Sequence, residues 1–450
     1  VALFIYGGTE LRQRFRAAKA FNPGEHGMFR KKNCITAIEI GTSKVCVLIG
    51  ESDGEGNIQV KGHGESSGHG AVCKGEISDM NAVLELLTAA VDEADNLAGR
   101  DVIDSENIFI AVTGSEIFSS QGVGNVFITS DDRRISEENV SEAVKAAQIK
   151  PLPRGHTTIG TFDSYFQIDG CRRIRNPIDQ VADKLEAYIH MIHGDENRIE
   201  NFLSAVRDVG FDDGVIPVFS GVASAFGTMT EEEKESGVLL VEMGAGTTEY
   251  LAVYNYGILL SGIIPVGLDH VANDLAIGLD LHISQARRML DSGEYYRLKQ
   301  AGRAVLELKN ASGGTRKIPI NSIEKIVDMR LREIFAIINE SVKQEDVLLN
   351  TGGILSGGAA LLPQALDIYK NVFELPVRVG RPLDLTGASS NLDSPRYSTV
   401  WGLLKYGDDL TRAGKAGRSK GFLDKSMDFF DGLWRPVFRN ISEIKNAIKF

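Results

Sequence analysis

The chain has 450 residues, 43% of them hydrophobic and 24% charged, with a net charge of −12. That length allows two or more domains with a substantial core. The acidic balance excludes a general nucleic-acid binder, which needs a basic face for phosphates.

Residues 1–33 read as an N-terminal extension. The apolar run "VALFIY" precedes the basic residues, the reverse of a signal peptide, and residues 1–27 read equally as an over-extended reading frame ahead of Met28. In "CITAIEIGTSKVCVLIGES" (34–52) an apolar run ends at Glu39, and Gly41, Thr42, Ser43 and Lys44 lead into a second β-rich run. This predicts a β-hairpin. "GHGESSGHG" (62–70) reads as a Gly/Ser loop. Neither its His63 and His69 nor the pair His190 and His193 reads as a zinc site, and Cys34, Cys46, Cys73 and Cys171 show no metal-ligand spacing. They read as reduced cytoplasmic thiols.

Residues 78–99 predict a helix, with Val83, Leu87, Ala90, Val91, Ala94 and Leu97 on one face, and 107–114 predicts a strand. A capped helix is expected near Ser136, strands around 123–129 and 158–168, and a further helix over 196–210. Thr230 and Glu233 fit a capping box.

A second hairpin follows in "LLVEMGAGTTEYLAVYNYG" (239–257), where the apolar run ends at Glu242 and the turn reads Gly244, Ala245, Gly246, Thr247, Thr248. The two acids are about one domain's length apart. Backbone N–H groups of Gly-rich turns can converge on phosphate oxygens, helped by hydroxyls and by Lys44. A carboxylate at the strand end would repel phosphate but can hold Mg²⁺ through water. Two such hairpins facing each other would clamp a nucleoside triphosphate. A third element, "NTGGILSGGAALLPQALDIYKNVF" (350–373), places Gly357, Gly358 and Ala359 between an apolar run and a helix-like one, where backbone can lie flat against a nucleoside. Its "NTGG" (350–353) reads as a loop.

Together these motifs resemble the phosphate-1, phosphate-2 and adenosine motifs of the actin / Hsp70 / sugar-kinase superfamily, in that order. Within it the chain resembles the FtsA family from about Cys34 to Gly407. The resemblance includes "IGTSK" (40–44), "CKGEISD" (73–79), "RNPI" (175–178), "LEAYIHMIHG" (185–194), "GIIPVG" (262–267), "LSGGAALLP" (355–363) and "VWGLLKYG" (400–407). It implies a two-lobed α/β actin-like ATPase fold with an inserted 1C-type module. Lobe 1 would take 34–114, 193–225 and 401–410, the module 115–192, and lobe 2 residues 226–400, with a smaller 2B part at about 268–325. Arg330 and Glu333 read as a surface pair on the helix 322–344. The family usually carries Asp where this chain has Glu39, Glu242 and Glu249, which lengthens each arm by one methylene.

Residues 411–421 read as a flexible tether. Beyond them Leu423, Met427, Phe430, Trp434, Phe438 and Ile441 recur three or four apart, which predicts an amphipathic helix over 422–450, kinked at Pro436. From 411 to 450 nine Lys/Arg, including Arg435 and Arg439, face four acids, a composition suited to an anionic membrane surface.

The resemblance implies an ATP- and Mg²⁺-binding cell-division protein on the cytoplasmic side of the inner membrane, at the septum. It would self-associate into filaments, bind the C-terminal peptide of the tubulin-like FtsZ and recruit later septal proteins. Glu39 and Glu242 would hold Mg²⁺. Any ATPase activity would be weak, since no water-activating base stands out and Glu249 lies too near the second strand to be one. A PilM-like pilus-assembly protein and a small-molecule kinase share the fold and are the rival readings.

Overall fold

The computed structural model describes residues 33–99, 107–211, 214–309, 315–345, 349–387 and 390–419. Strands β1 (Asn33–Ile40), β2 (Lys44–Ser52) and β3 (Ile58–Ser67) form an antiparallel meander. His63 therefore lies in a strand, not a loop. Its neighbours Gly62 and Gly64 are there for packing: a Cβ on Gly64 would lie 1.9 Å from the Ala90 carbonyl. A ribbon, β4 (Val72–Cys73) and β5 (Glu76–Ile77), leads to helix α1 (Met80–Ala98), whose N-terminus is capped by Asp79. Its face of Val83, Leu87, Ala90, Val91 and Ala94 is buried, but Leu97 is 64% exposed, beyond the edge of the sheet contact.

After β6 (Ile108–Val112) comes the inserted module: β7 (Ile117–Phe127), α2 (Glu137–Gln148), β8 (His156–Ile168), β9 (Arg172–Ile174) and β10 (Lys184–Asp195). Ser136 closes a capping box on α2. The module's sheet, in the order β7-β10-β8-β9, has its own apolar cluster. It docks on the other lobe, because the Ser164 hydroxyl donates to the Ile258 carbonyl (2.9 Å) and His190 Nε2 meets Ser261 Oγ at 2.6 Å. Burial pulls His190 down to about 4 and keeps it neutral, so its role is structural.

The chain returns through α3 (Glu196–Asp208), β11 (Val215–Phe219), α4 (Ser220–Thr228) and α5 (Glu231–Ser236) to β12 (Val238–Met243), β13 (Thr248–Tyr254) and β14 (Gly257–Ile264). Thr230 and Glu233 form the expected capping box on α5. Next come α6 (Leu268–Gly278), α7 (Ile283–Ser292), α8 (Glu294–Gln300), the ribbon β15 (Val305–Lys309)–β16 (Thr315–Pro319) and α9 (Ile320–Gln344). Arg330 on α9 pairs with Glu333 at 2.7 Å and forks onto Asp274 at 2.6 and 3.1 Å.

The last elements are β17 (Gly352–Ser356), α10 (Ala365–Phe373), β18 (Val377–Val379) and α11 (Ser398–Ser419). Three sequence expectations change here. Gly352 and Gly353, expected in a loop, open β17, because β12 pairs with them in parallel. No α-helix follows Gly358 directly: a 3-10 turn spans Gly358–Leu361 and α10 waits until Ala365, since Pro363 cannot donate a helical hydrogen bond. Residues 411–419, expected to be a tether, continue α11. A helix already nucleated on the core propagates through residues such as Ala413, Lys415 and Arg418 at little cost.

The two large sheets repeat one plan. Reading inward from the edge, β3-β2-β1-β6-β11 matches β14-β13-β12-β17-β18. In each, a hairpin strand pairs antiparallel with its successor and parallel with a later strand: β1 with β2 and β6, β12 with β13 and β17. Burial on both faces requires the near-continuous apolar runs of β1 and β12. One core cluster is built on the first sheet and takes in one face of the second (Leu240, Leu251, Val253), whose other face (Leu239, Val241, Ala252) packs in a second cluster. The repeated hairpins thus lie in two sheets, one per lobe.

Candidate nucleotide and cation site

Each of the two hairpin turns is closed by one backbone bond. The Gly41 N–H donates to the Lys44 carbonyl and the Gly244 N–H to the Thr247 carbonyl, both at 2.9 Å. The turns of the two lobes touch: a Cβ on Gly246 would lie 2.3 Å from Thr42 Oγ1 and 3.1 Å from Lys74 Cα. The N-terminus of α6 anchors the second turn, with Leu268 and Asp269 N–H groups donating to the Gly244 and Ala245 carbonyls. The adenosine-type turn joins them through β17, because Glu242 and Ser356 are register partners. Gly357 has φ +77, and a Cβ there would lie 2.5 Å from Glu242 Oε1 and from the Met243 carbonyl. A side chain at that position is excluded both by backbone and by space. Gly358 packs near Leu268, and Ala359 is buried.

Three carboxylates converge at this junction. Glu242 and Glu249 are direct partners across β12 and β13, so both leave the same face of the sheet. Burial, then the Glu249 and Glu39 carboxylates, push the Glu242 carboxyl well above the usual carboxylate range, with Lys44 opposing. Glu249 Oε1 accepts from the hydroxyls of Thr247 (2.9 Å), Ser220 (3.1 Å) and Thr113. Its Oε2 is buried and has no hydrogen-bond partner. Such an atom carries a large desolvation penalty until a proton or a cation reaches it.

Several expected ligands are otherwise engaged. Thr248 Oγ1 donates to the Val266 carbonyl at 2.7 Å and Thr247 Oγ1 to Glu249, and the Gly244 N–H closes its own turn, which leaves the backbone of 245–247, rather than these hydroxyls, as the donor surface. The Lys44 ammonium is 3.3 Å from Glu39 Oε2 and 4.8 Å above the Tyr397 ring. Burial alone would lower its pKa, but Glu39, Cys46 and Glu65 outweigh that and raise it. Lys44 is thus a permanent counter-charge for Glu39 more than a free phosphate ligand.

Four participants carry no local sequence signal for this role. Lys74 and Gly75 form the left-handed β4–β5 turn (φ 50 and 77), and Gly75 approaches Thr247 and Thr113, where a Cβ would lie 2.9 and 3.0 Å away. Lys74 is exposed, and its backbone lies beside Gly246. Glu76 fixes this turn by accepting from Ser115 at 2.6 Å and pairing with Arg198. Glu249 is the fourth: its nearness to the second strand, which argues against it in the sequence, is what puts it opposite Glu242 in the hairpin register. The donor set of three carboxylates, with one orphaned oxygen, suits a hard divalent cation such as Mg²⁺.

The expected membrane-facing residues Leu423, Met427, Phe430, Trp434, Arg435, Phe438, Arg439 and Ile441 lie outside the described residues. Among the described residues, no helix is long and apolar enough to cross a membrane.

Comparison with known proteins bears on both sheets and the module. A family model described as "Cell division protein FtsA" matches residues 239–402, and one described as "SHS2 domain inserted in FTSA" matches 114–193. The cell division protein FtsA of Borreliella burgdorferi is 28% identical over 382 residues, which cover 83% of this chain and 91% of that protein. Among solved structures, a chain of a PilM-PilN type IV pilus biogenesis complex aligns with a TM-score of 0.56 at 13% identity, over 83% of this chain and 98% of its own. MreB5 of Spiroplasma citri bound to ADP aligns with a TM-score of 0.50 at 14% identity, over 87% and 100%. The two structural likenesses show the actin-like fold.

Proposed function

This chain belongs to the FtsA family of cell-division proteins, and from that premise we propose that it binds Mg²⁺–ATP between its lobes and works as a membrane-tethered division filament. The observation that carries the nucleotide part is the meeting of two glycine turns, one from each lobe, over three converging carboxylates. Glu39 and Glu242 would hold Mg²⁺, with Glu249 beside them. The backbones of Gly41–Ser43 and Ala245–Thr247, with Lys74, would meet the phosphates. Gly357 and Gly358 would face the nucleoside. Mg²⁺ supplies charge neutralisation of the triphosphate. Because the turns touch at Thr42 and Gly246, the lobes must part to admit a nucleotide. MreB5, which shares the fold, was solved with ADP bound, and that supports the reading.

The tethering part rests on composition. Residues 422–450 carry an apolar face with Trp434 and an excess of basic residues, the pattern of a helix that lies in a membrane interface. Each basic residue near an anionic surface contributes about 1 kcal/mol. The inferred partners are the FtsZ C-terminal peptide, further copies of this chain and later septal proteins, on the cytoplasmic face of the inner membrane. The likeness to PilM is one of fold, whereas residues 239–402 and the inserted module at 114–193 match FtsA models.

Co-sedimentation with anionic liposomes, with and without ATP, tests the tether. The full chain should pellet with the vesicles, and a chain ending at residue 421 should stay in the supernatant. Undiminished binding by the shortened chain would end the anchor assignment.

A further inference from the structure

We propose that Cys46, His63 and Glu65 form a zinc site on the β2–β3 hairpin, beside the cleft and distinct from its carboxylates. Cys46 and Glu65 face each other across the two strands, and His63, two residues before Glu65, shares its face. One ligand atom from each of the three lies within 4.8 Å of the others. His63 Nε2 and Glu65 Oε2 are both buried and lack hydrogen-bond partners, and Cys46 is fully buried. Two orphaned polar atoms beside a thiol are expensive unless something binds them together. The opposite face of β3 carries Gly62 and Gly64 against α1, so the triad looks away from α1, toward Tyr397. That ring stands edge-on to His63 at 5.7 Å.

The donor set selects the metal. A thiolate, an imidazole and a carboxylate are the three ligand types zinc takes, with a fourth tetrahedral position left for water. Mg²⁺ and Ca²⁺ prefer oxygen throughout, so the cleft and this cluster sort their cations by chemistry. Lys44, two residues before Cys46, opposes a second cation nearby. Its ammonium is held by Glu39 at 3.3 Å, and the Cys46 thiolate with the Glu65 carboxylate supplies two negative charges to match Zn²⁺. Binding releases the thiol proton to solvent. The ligands come from facing strands, so no spacing in the sequence announces them. Zinc here would brace the hairpin that carries Gly41–Lys44.

The test is a Co²⁺ titration of the full-length, chelator-stripped protein without nucleotide, Mg²⁺ or an affinity tag. One equivalent should produce a sulfur-to-cobalt charge-transfer band and tetrahedral visible absorption, both displaced by Zn²⁺. Cys46→Ser should abolish the charge-transfer band. Glu65→Gln should weaken binding by about tenfold or more, and Cys73→Ser and Cys171→Ser should change nothing. Absence of the band in the wild-type protein, its persistence in Cys46→Ser, or its loss in Cys73→Ser overturns the site. Should Cys46→Ser not fold, unchanged Co²⁺ affinity in Glu65→Gln overturns it.

Discussion

Replacing Glu242 by glutamine should stabilise the empty protein and weaken its Mg²⁺-dependent hold on ATP. The Glu242 carboxyl is raised by burial and then by Glu249 and Glu39, so the folded state binds a proton that the unfolded state releases. Stability therefore falls as pH rises from the ordinary carboxyl value of 4.5 toward the raised folded one. An amide in place of this carboxyl would not titrate, and it can donate to the orphaned Glu249 Oε2. In urea unfolding without divalent ions, the advantage of Glu242→Gln should be absent near about pH 4 and grow toward about pH 8. In the same variant the gain in ATP affinity on adding Mg²⁺ should shrink by about tenfold or more if Glu242 holds the cation as proposed. Equal stability at both pH values, with an intact Mg²⁺ effect, would mean that the acids do not interact in the cleft.

Gly402→Ala should be the most damaging single methyl in lobe 1. Helices α4 and α11 cross with their backbones in contact. A Cβ at 402 would lie 1.7 Å from the Ala223 carbonyl and 2.8 Å from the Gly227 nitrogen, and a Cβ at 227 would lie 2.3 Å from the Ser398 carbonyl. Neither obstacle is a side chain that can rotate away, so the helices must separate. Overpacking typically costs about 1–3 kcal/mol, and two backbone obstacles put this change at the upper end, a large share of the roughly 5–15 kcal/mol that holds a domain together. The urea midpoint should drop sharply at unchanged slope. Adding Gly227→Ala should cost less than the sum of the two single changes, because both break one crossing.

Much of the candidate cleft is legible from local chemistry. Runs ending at Glu39 and Glu242, followed by glycine turns, specify two hairpins whose strands pair as read. The capping residues Ser136 and Thr230 likewise announce their helices. What escapes is set by partners distant in sequence. Gly352 and Gly353 are strand because β12 lies beside them, and the Lys74–Gly75 turn meets Gly246 and Thr247 with Ser115 and Arg198 holding the neighbouring Glu76. Glu249 is available in principle: a turn closed between Gly244 and Thr247 forces it opposite Glu242. The Thr247 and Thr248 hydroxyls promise more than they deliver, since a hydroxyl in a tight turn finds protein acceptors first.

Calorimetric titration of the full-length protein with ATP, in Mg²⁺ and again in a chelator, tests the cleft most directly. Carboxylates facing a triphosphate repel it unless a cation lies between them, so binding in Mg²⁺ should be tighter by about 1.4 kcal/mol or more, a factor of ten. Equal affinity in the two buffers, or no heat of binding in either, would contradict a magnesium-bridged nucleotide between the two hairpins.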